Sequence, residues 1–387
     1  MNIKYIGADD ADLKLFESQY DLPDGMCYNS YLVLDDKVAI IDSVDNRKVS
    51  EWLDNLENAL EDRHPDYLVV QHMEPDHSAG IAQALEKYPH LQIVGSAKAI
   101  QMMSLYFEGL DLEDKTITVK DGDTLNLGSR SLLFLTAPMV HWPEVIVTYD
   151  PANRVLFSAD AFGKFGVRDA DPDDWACEAR RYYFNICGKY GTSVAQLLHK
   201  VEPLDIEHIF PLHGPMLQGE ALTEALRLYG IWSRYDVETP GVFVAYASIH
   251  GGTREAAVLL SEMLRERGVP KVSVSDLTID DQAEAIEDAF RMSHLVCCSA
   301  SYDAGLFPPM HDFIHHLRIK AYQRRTVALI ENGSWAPSAG RVMREMFADM
   351  KDINLVEPLI TIRGRLHSDD RPKLQALADS LAKDFVS

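Results

Sequence analysis

The 387-residue sequence is poor in cysteine, and none of its five cysteines belongs to a C-x-x-C pair. Cys27, Cys177, Cys187, Cys297 and Cys298 are odd in number, which argues against a disulfide framework and is typical of reduced cytosolic thiols. The missing C-x-x-C pairs also exclude a rubredoxin-type iron site in this sequence. We therefore expect a cytoplasmic protein whose cysteines serve as small buried side chains.

Positive charge is also scarce. The sequence has 37 Lys and Arg against 60 Asp and Glu, a formal net charge of −23. Such a charge repels nucleic acid and anionic membrane surfaces over most of the molecule. The first residues lack the basic segment and apolar core of a signal peptide, and no later stretch is apolar enough to span a bilayer. We expect partners to be small molecules or other proteins, with no nucleic acid and no membrane.

The pattern of the chain changes near residue 240. Before it, strand-like runs come in hairpins, such as "YLVL" and "KVAIID" on either side of Asp35-Asp36. Helical patterns such as "RKVSEWLDNLENALED" lie between them, which predicts a mixed, two-layered β-rich unit with helices outside. After it, strands and helices alternate five times, which predicts a doubly wound parallel sheet of flavodoxin type or a Rossmann relative. The run "LRLYGIWSRYDVETPG" reads as the connector. We predict two domains, residues 1–240 and 241–387.

The most informative stretch of the first half is "VVQHMEPDHSAG", residues 69–80. His72, Glu74, Asp76 and His77 follow the apolar run "DYLVVQ", so they lie where a buried strand ends. Three more metal-ligating residues, His141, Asp160 and His213, also fall where predicted strands meet loops. Because strand ends share one edge of a sheet, we expect all seven side chains to converge.

The residue types favour iron over zinc. Histidine-rich tetrahedral sites suit zinc, whereas mixed imidazole and carboxylate sites with open positions suit iron. Four imidazoles and three carboxylates are enough to hold two iron ions, with one carboxylate bridging them. Carboxylates also lower the net charge of the pair, which favours access to the ferric state.

The second half carries a separate pattern in "VAYASIHGGTREAA", residues 244–257. A strand ends at Ser248 and Thr253 opens a helix, so loop amides and the helix N-terminus can hold a phosphate. No G-x-G-x-x-G or G-K-[ST] motif is present, which favours a mononucleotide over a dinucleotide or a triphosphate. In a doubly wound sheet, the loops after the third and fourth strands complete the site, and both contain an aromatic residue beside glycines.

These loops suit the flat ring of FMN. The predicted cofactor residues are Ser248, Ile249, His250, Gly251, Gly252, Thr253, Ser299, Ala300, Ser301, Tyr302, Asp303, Gly305, Leu306, Asn332, Gly333, Ser334 and Trp335.

The two halves together resemble the flavodiiron proteins, also called A-type flavoproteins, over the whole chain. Zinc hydrolases of the metallo-β-lactamase superfamily carry H-x-H-x-D-H followed by later His, Asp and His ligands, whereas this sequence has H-x-E-x-D-H with Glu74. The resemblance implies an α/β and α+β protein of two domains. The first is a metallo-β-lactamase-like αββα sandwich and the second a flavodoxin-like doubly wound parallel sheet of order 2-1-3-4-5. Three positions depart from the family pattern. Ala300 and Ser301 stand where a Pro-Thr pair is usual, and Gly252 stands where asparagine is common.

The resemblance further implies the role of each metal ligand. His72, Glu74 and His141 would bind one iron, the group Asp76, His77 and His213 would bind the other, and Asp160 would bridge them. The implied activity is reduction of dioxygen to water, of nitric oxide to nitrous oxide, or of both. Tyr28, Trp142 and Phe162 are candidates for lining the substrate pocket.

Partners also follow from the resemblance. Electrons would come from rubredoxin or a similar donor, and a head-to-tail homodimer or a dimer of dimers would bring the flavin of one subunit to the iron of another. Because such donors are acidic, a basic face is needed for docking. The run "RIKAYQRR", with Arg318, Lys320, Arg324 and Arg325, is the candidate face.

Two other functions remain open from the sequence. A dinuclear zinc hydrolase of lactamase type could carry a regulatory or docking flavin domain, although Glu74 argues against it. An electron carrier or redox sensor with a vestigial metal site is the other, and the complete set of seven ligands argues against that one.

Overall fold

The computed structural model describes residues 2–170 and 174–385, and the chain divides into two compact units, Met1–Ser233 and Arg234–Ser387. Within the described residues, no helix combines the length and the apolar composition needed to cross a bilayer. The segment that the sequence suggested as a connector is helical up to Ser233, in the helix Gly219–Ser233. This helix buries Leu228, Tyr229 and Trp232, so packing of its apolar face keeps it in the first unit.

The first unit contains two six-stranded sheets. The first sheet has the spatial order Ile3–Tyr5, Tyr31–Leu34, Val38–Ile41, Tyr67–Val70, Gln92–Ser96 and Thr116–Val119. The second has the order Thr124–Asn126, Ser131–Thr136, Ile146–Asp150, Val155–Phe157, His208–Phe210 and Leu217–Gln218. Two short ribbons pair Ala8–Asp10 with Met26–Tyr28 and Leu15–Phe16 with Tyr20–Asp21.

The core of this unit lies between the two sheets. Val69 and Val94 of the first sheet and Phe134 and Phe157 of the second belong to one buried cluster. The predicted hairpin of "YLVL" and "KVAIID" is present, with Leu34 paired to Val38. The strand Thr116–Val119 pairs in parallel with Gln92–Ser96 at the edge of the first sheet. The next strand, Thr124–Asn126, begins the second sheet.

Helices complete the first unit and cover the sheets, as the αββα prediction requires. The helices are Val49–Leu60, Pro75–Ser78, Ile81–Lys87, Ala97–Tyr106, Trp175–Tyr182, Gly191–Val201 and Gly219–Ser233, with 3₁₀ turns at Asn46–Lys48 and Gly188–Tyr190 and a π-helical segment at Tyr183–Cys187.

The second unit is a doubly wound sheet in the predicted order 2-1-3-4-5. In space, the strands run Val272–Asp276, Thr239–Ala247, Met292–Tyr302, Arg325–Asn332, and then Ile353–Leu355 together with Ile360–Ile362. The helices are Gly252–Glu266, Gln282–Arg291, Pro308–Ile319, Ala339–Ala348 and Arg371–Ala382, with a 3₁₀ turn at Ser368–Asp370. The predicted fifth strand "NLVEPLIT" is divided in two at Pro358, which has no N–H to donate to a sheet.

The third strand covers Met292–Tyr302. It continues through Tyr302 and pairs back with Gly305–Leu306, so residues 299–302 belong to a strand and not to a loop.

Candidate metal centre and flavin cavity

The seven predicted metal ligands converge in the first unit. His72 and Glu74 follow the strand Tyr67–Val70, whereas Asp76 and His77 lie on the short helix Pro75–Ser78. The remaining three lie after strands of the second sheet: His141 after Ser131–Thr136, Asp160 after Val155–Phe157, and His213 after His208–Phe210. Ligand atoms within each of two groups lie within 4.8 Å of one another. The groups are His72, Glu74, His141 and Asp160, and Asp76, His77 and His213.

Asp160 faces both groups, one with each oxygen. Its Oδ2 lies 3.4 Å from Nε2 of His72 and 3.2 Å from Nε2 of His141. Its Oδ1 lies 3.2 Å from Nε2 of His77 and 3.8 Å from Nε2 of His213. A carboxylate in this position can bridge two cations.

The other two carboxylates each serve one group. Glu74 Oε2 lies 3.1 Å from Nε2 of His72 and 3.0 Å from Nε2 of His141. Asp76 Oδ2 lies 3.3 Å from Nε2 of both His77 and His213.

Several of these buried atoms lack a hydrogen-bond partner among the described residues. Both oxygens of Asp76 and Oδ1 of Asp160 are examples. Burying a carboxylate without a partner is costly, and a bound cation removes that cost. The residues present therefore fit a pair of metal ions.

The pKa shifts of His141 and Glu74 also indicate strong contacts between the imidazoles and carboxylates of the metal centre. Burial lowers the pKa of His141, but hydrogen bonds to Asp160 and Glu74 outweigh it and raise the pKa to about 9. Burial also opposes the charge on Glu74, yet its contacts with His141 and His72 hold the pKa of this carboxyl well below its usual range. At neutral pH and without metal, His141 therefore carries a proton that metal binding must displace.

Three residues that the sequence did not reveal position the ligands. Glu144 Oε1 lies 2.8 Å from Nδ1 of His72, and the carbonyl of Cys27 lies 2.7 Å from Nδ1 of His213. Asp42 accepts a hydrogen bond of 3.3 Å from the amide of His72. The only sequence signal for Glu144 is its place three residues after His141, and a backbone carbonyl has none.

The three aromatic candidates have different surroundings. The Trp142 ring lies 5.2 Å from that of His72, and the Tyr28 ring lies 6.1 Å from that of His213. Phe162 instead stacks on Tyr229 at 4.2 Å between ring centroids.

In the second unit, a cavity of about 620 Å³ opens at the carboxyl ends of the parallel strands. Thirteen of the seventeen predicted cofactor residues line it: Ser248, Ile249, His250, Gly252, Thr253, Ala300, Ser301, Tyr302, Asp303, Asn332, Gly333, Ser334 and Trp335. Four residues that were not predicted also line it: Ala304, Ala336, Gly364 and Arg365. Gly364 and Arg365 follow the last strand, whose carboxyl end the sheet order places beside the fourth strand.

The other four predicted residues do not line this cavity. Ser299 is fully buried in the third strand, and Leu306 is buried where the chain pairs back on it. Gly305 pairs with Tyr302. Gly251 has a positive φ of 88° and turns the chain into the helix Gly252–Glu266.

The cavity has features that suit a flat ring and a phosphate. Trp335 is 91% exposed and Tyr302 is 46% exposed, so two aromatic surfaces are open at its rim. Across the cavity floor, the Asn332 side chain donates to the Gly364 carbonyl and accepts from its amide, both at 2.9 Å. A Cβ at Gly252 would lie only 2.0 Å from that carbonyl, so the backbone approach requires glycine.

The basic run proposed for docking does not form a face. Arg325 is only 3% exposed and donates to backbone carbonyls, which makes it a structural residue. Lys320 is also buried, and Arg324 pairs with Asp236 at 2.7 Å. Of the four residues, Arg318 alone is exposed without an ion pair among the described residues. The sequence pattern was misleading because it could not distinguish buried from exposed arginines.

Sequence comparisons cover most of the chain. A family model described as ODP family beta lactamase matches residues 26–214. An uncharacterized protein of Methanocaldococcus jannaschii is 27% identical over 93% of this chain and 91% of its own length. The anaerobic nitric oxide reductase flavorubredoxin of Vibrio vulnificus is 26% identical over 96% of this chain and 76% of its length. Diflavin flavoprotein A 1 of Synechocystis is 32% identical over 74% of this chain, which spans half the length of that relative.

Solved structures share the fold. The rubredoxin oxygen:oxidoreductase of Desulfovibrio gigas superimposes with a TM-score of 0.92 and 23% identity, over 99% of this chain and 96% of that one. The flavodiiron protein of Giardia intestinalis also gives 0.92 and 23%, over 99% and 94% of the two chains. The chain is thus similar to flavoproteins of this kind in sequence and to the flavodiiron proteins in fold. Its two-domain architecture, a lactamase-like unit followed by a flavodoxin-like unit, is that of the flavodiiron proteins.

The close approach at Gly252 gives a prediction. Gly252→Ala places a methyl group against the Gly364 carbonyl, so we expect at least about tenfold weaker binding of FMN. Flavin content after purification and fluorescence titration of the apoprotein measure this. Gly305→Ala is the matched control, because its nearest neighbour is 3.5 Å away and it does not line the cavity. Equal flavin binding by the two variants would contradict the assigned cavity.

Proposed function

We propose that this chain is an FMN- and diiron-dependent oxidoreductase that reduces dioxygen to water, nitric oxide to nitrous oxide, or both. The observation that carries the proposal is the position of Asp160, whose two oxygens face two separate groups of imidazole and carboxylate ligands. The flavorubredoxin and oxygen oxidoreductase among its relatives support the substrate class.

The geometry of the residues supports the proposed ligand assignment. His72, Glu74 and His141 would hold one iron and the group Asp76, His77 and His213 the other, with Asp160 between them. Glu74 and Asp76 supply hard anionic oxygens, which suit iron better than the histidine-rich zinc sites do. When bound, the iron pair would supply open coordination positions for the diatomic and two electrons, and reduced FMN two more. Dioxygen reduction to water consumes four electrons and four protons, and coupling of two nitric oxide molecules consumes two of each.

The second unit would hold the flavin. The amides of the Ser248–Thr253 turn and the N-terminus of the helix Gly252–Glu266 are suited to a phosphate, and Tyr302 and Trp335 to a ring. We propose residues 1–240 as the diiron domain and 241–387 as the FMN domain. A cytoplasmic location is part of the proposal and is supported by five free cysteines.

The alternative is a dinuclear zinc hydrolase with a docking or regulatory flavin domain. The lactamase-like fold of the first unit favours it, whereas Glu74 in place of a histidine disfavours it.

Metal analysis and turnover test the proposed function. Protein purified without air should contain two irons and one FMN per chain, and the reduced protein should turn over with dioxygen or with nitric oxide. Asp160→Asn should lose most of its iron and activity, because it removes the shared negative charge. Asp150→Asn removes a buried carboxylate that pairs with Arg130, outside the ligand group, and should keep both. Two zincs per chain would favour the hydrolase. Negligible turnover with both dioxygen and nitric oxide would exclude the reductase.

We also propose a head-to-tail homodimer or a dimer of dimers. The exposed Trp335 and Tyr302 at the flavin cavity support it, because such apolar surface is usually covered in the working assembly. Light scattering of the active enzyme should give at least the dimer mass. A monomer with full activity would refute this arrangement.

The electron donor in this proposal is rubredoxin or a similar acidic carrier. A groove of about 510 Å³ shares His250, Gly252 and Arg365 with the flavin cavity. It is further lined by Arg254, Arg371, Glu255 and Glu262, so its arginines outnumber its carboxylates by three to two. The three arginines are exposed, and no ion pair of the described residues involves them. Because the chain is strongly acidic elsewhere, this groove is the better docking site for an acidic carrier.

Charge reversal tests the docking site. Arg254→Glu combined with Arg371→Glu should slow flavin reduction by an acidic carrier at low salt about tenfold or more, and should flatten its salt dependence. Reduction by dithionite should not change, since neither side chain lines the flavin cavity. Arg318→Glu, on the helix Pro308–Ile319, serves as the control for a single exposed charge. An unchanged salt dependence in the double variant would contradict the proposed docking site.

A further inference from the structure

Three of the four ligand histidines differ in what their Nδ1 atoms contact. Nδ1 of His72 lies 2.8 Å from a carboxylate oxygen of Glu144, and both side chains are fully buried. Nδ1 of His213 lies 2.7 Å from the neutral backbone carbonyl of Cys27. Nδ1 of His77 has no hydrogen-bond partner among the described residues. Of these three histidines, His72 alone contacts a carboxylate through this nitrogen.

Glu144 is held firmly against His72. The amide of Met73 donates to the same Oε1 at 2.9 Å. The backbone carbonyl of Glu144 accepts from Oγ of Ser96 at 2.8 Å, and Ser96 also caps the helix Ala97–Tyr106. When Nε2 of His72 binds a metal, its Nδ1 carries the hydrogen and donates it to this oxygen, as the Met73 amide does. The contact therefore places a carboxylate that accepts two hydrogen bonds directly behind His72.

This contact makes the two metal-ligand groups unequal. The group of His72 and His141 has the carboxylate of Glu74 in direct reach of its histidines and that of Glu144 behind it. In the group of His77 and His213, the carboxylate of Asp76 is in direct reach of the histidines. Behind His213 there is a backbone carbonyl, that of Cys27, and not a carboxylate. Asp160 is shared.

Two physical effects follow from the extra carboxylate. A histidine that donates its Nδ1 hydrogen to a carboxylate becomes a more basic ligand through Nε2, with its tautomer fixed. A nearby negative charge also favours the more positive oxidation state of a bound metal. Both effects act on the His72 side.

We propose that Glu144 is a positioning residue that makes the two metal positions unequal, so that the position of His72, Glu74 and His141 binds a cation more tightly and, with iron, takes the ferric charge first. The redox part rests on the proposed function. The affinity part applies to any divalent cation and does not depend on that function.

A zinc titration of the metal-free full chain tests the affinity part. Glu144→Gln should weaken one of the two equivalents by about 10- to 100-fold and leave the other unchanged. In the background of His213→Ala, which disables the second group, Glu144→Gln should still weaken the remaining site. In the background of His141→Ala it should have little effect. Asp150→Asn should keep both affinities, and equal weakening of both equivalents by Glu144→Gln would overturn the proposal.

Redox titration of the iron-loaded chain, followed by Mössbauer or electron paramagnetic resonance spectroscopy, tests the second part. Glu144→Gln should raise the potential of the first iron to be oxidised and narrow the gap between the two one-electron steps. Each tenfold change in the equilibrium constant corresponds to about 59 mV. Glu144→Asp retains the charge and should lie nearer the parent protein, which a purely structural role would not produce.

Equal shifts of both steps, or the same gap in the Gln and Asp variants, would overturn the redox part. If the chain takes up no iron, the proposed function fails, and the zinc titration still decides whether the two positions are unequal.

Discussion

The position of one buried carboxylate, Asp160, constrains the rest of the first unit. Its two oxygens face four histidines that come from different strand ends and from both sheets. Charged and polar groups at this density are costly to bury unless cations or hydrogen bonds compensate them. The apolar layer between the sheets holds the strand ends rigidly enough to keep the ligands in register.

The second unit also places its cavity at strand ends, but this cavity suits a flavin and not metal ions. A flavin needs a close backbone approach and open ring surfaces, and the carboxyl ends of parallel strands provide both. Asn332 ties the loop after the last strand to the fourth strand, and Gly252 leaves room for that contact. The flavin cavity therefore depends on contacts between loops that follow different strands of the sheet.

Charged side chains have different roles in the metal centre and in the second unit. In the metal centre, a carboxylate behind one histidine makes chemically similar ligand groups unequal. On the second unit, arginines are divided between the buried Arg325, which satisfies backbone carbonyls, and exposed ones that line a groove next to the flavin cavity. In a chain of net charge −23, a groove next to a cofactor cavity in which arginines outnumber carboxylates is informative about a partner.

The sequence alone determined the strand and helix periodicities, the two-domain plan and the types of the metal-ligating side chains, because these depend on local patterns. It also identified the loops that approach the flavin cavity, since sheet order fixes which strand ends meet. Only the tertiary structure decided that Tyr302 pairs back with Gly305, that Gly364 and Arg365 join the cavity, and that Arg325 is buried. The same holds for Glu144 behind His72 and the Cys27 carbonyl behind His213, because such contacts depend on distances between segments that no local pattern encodes.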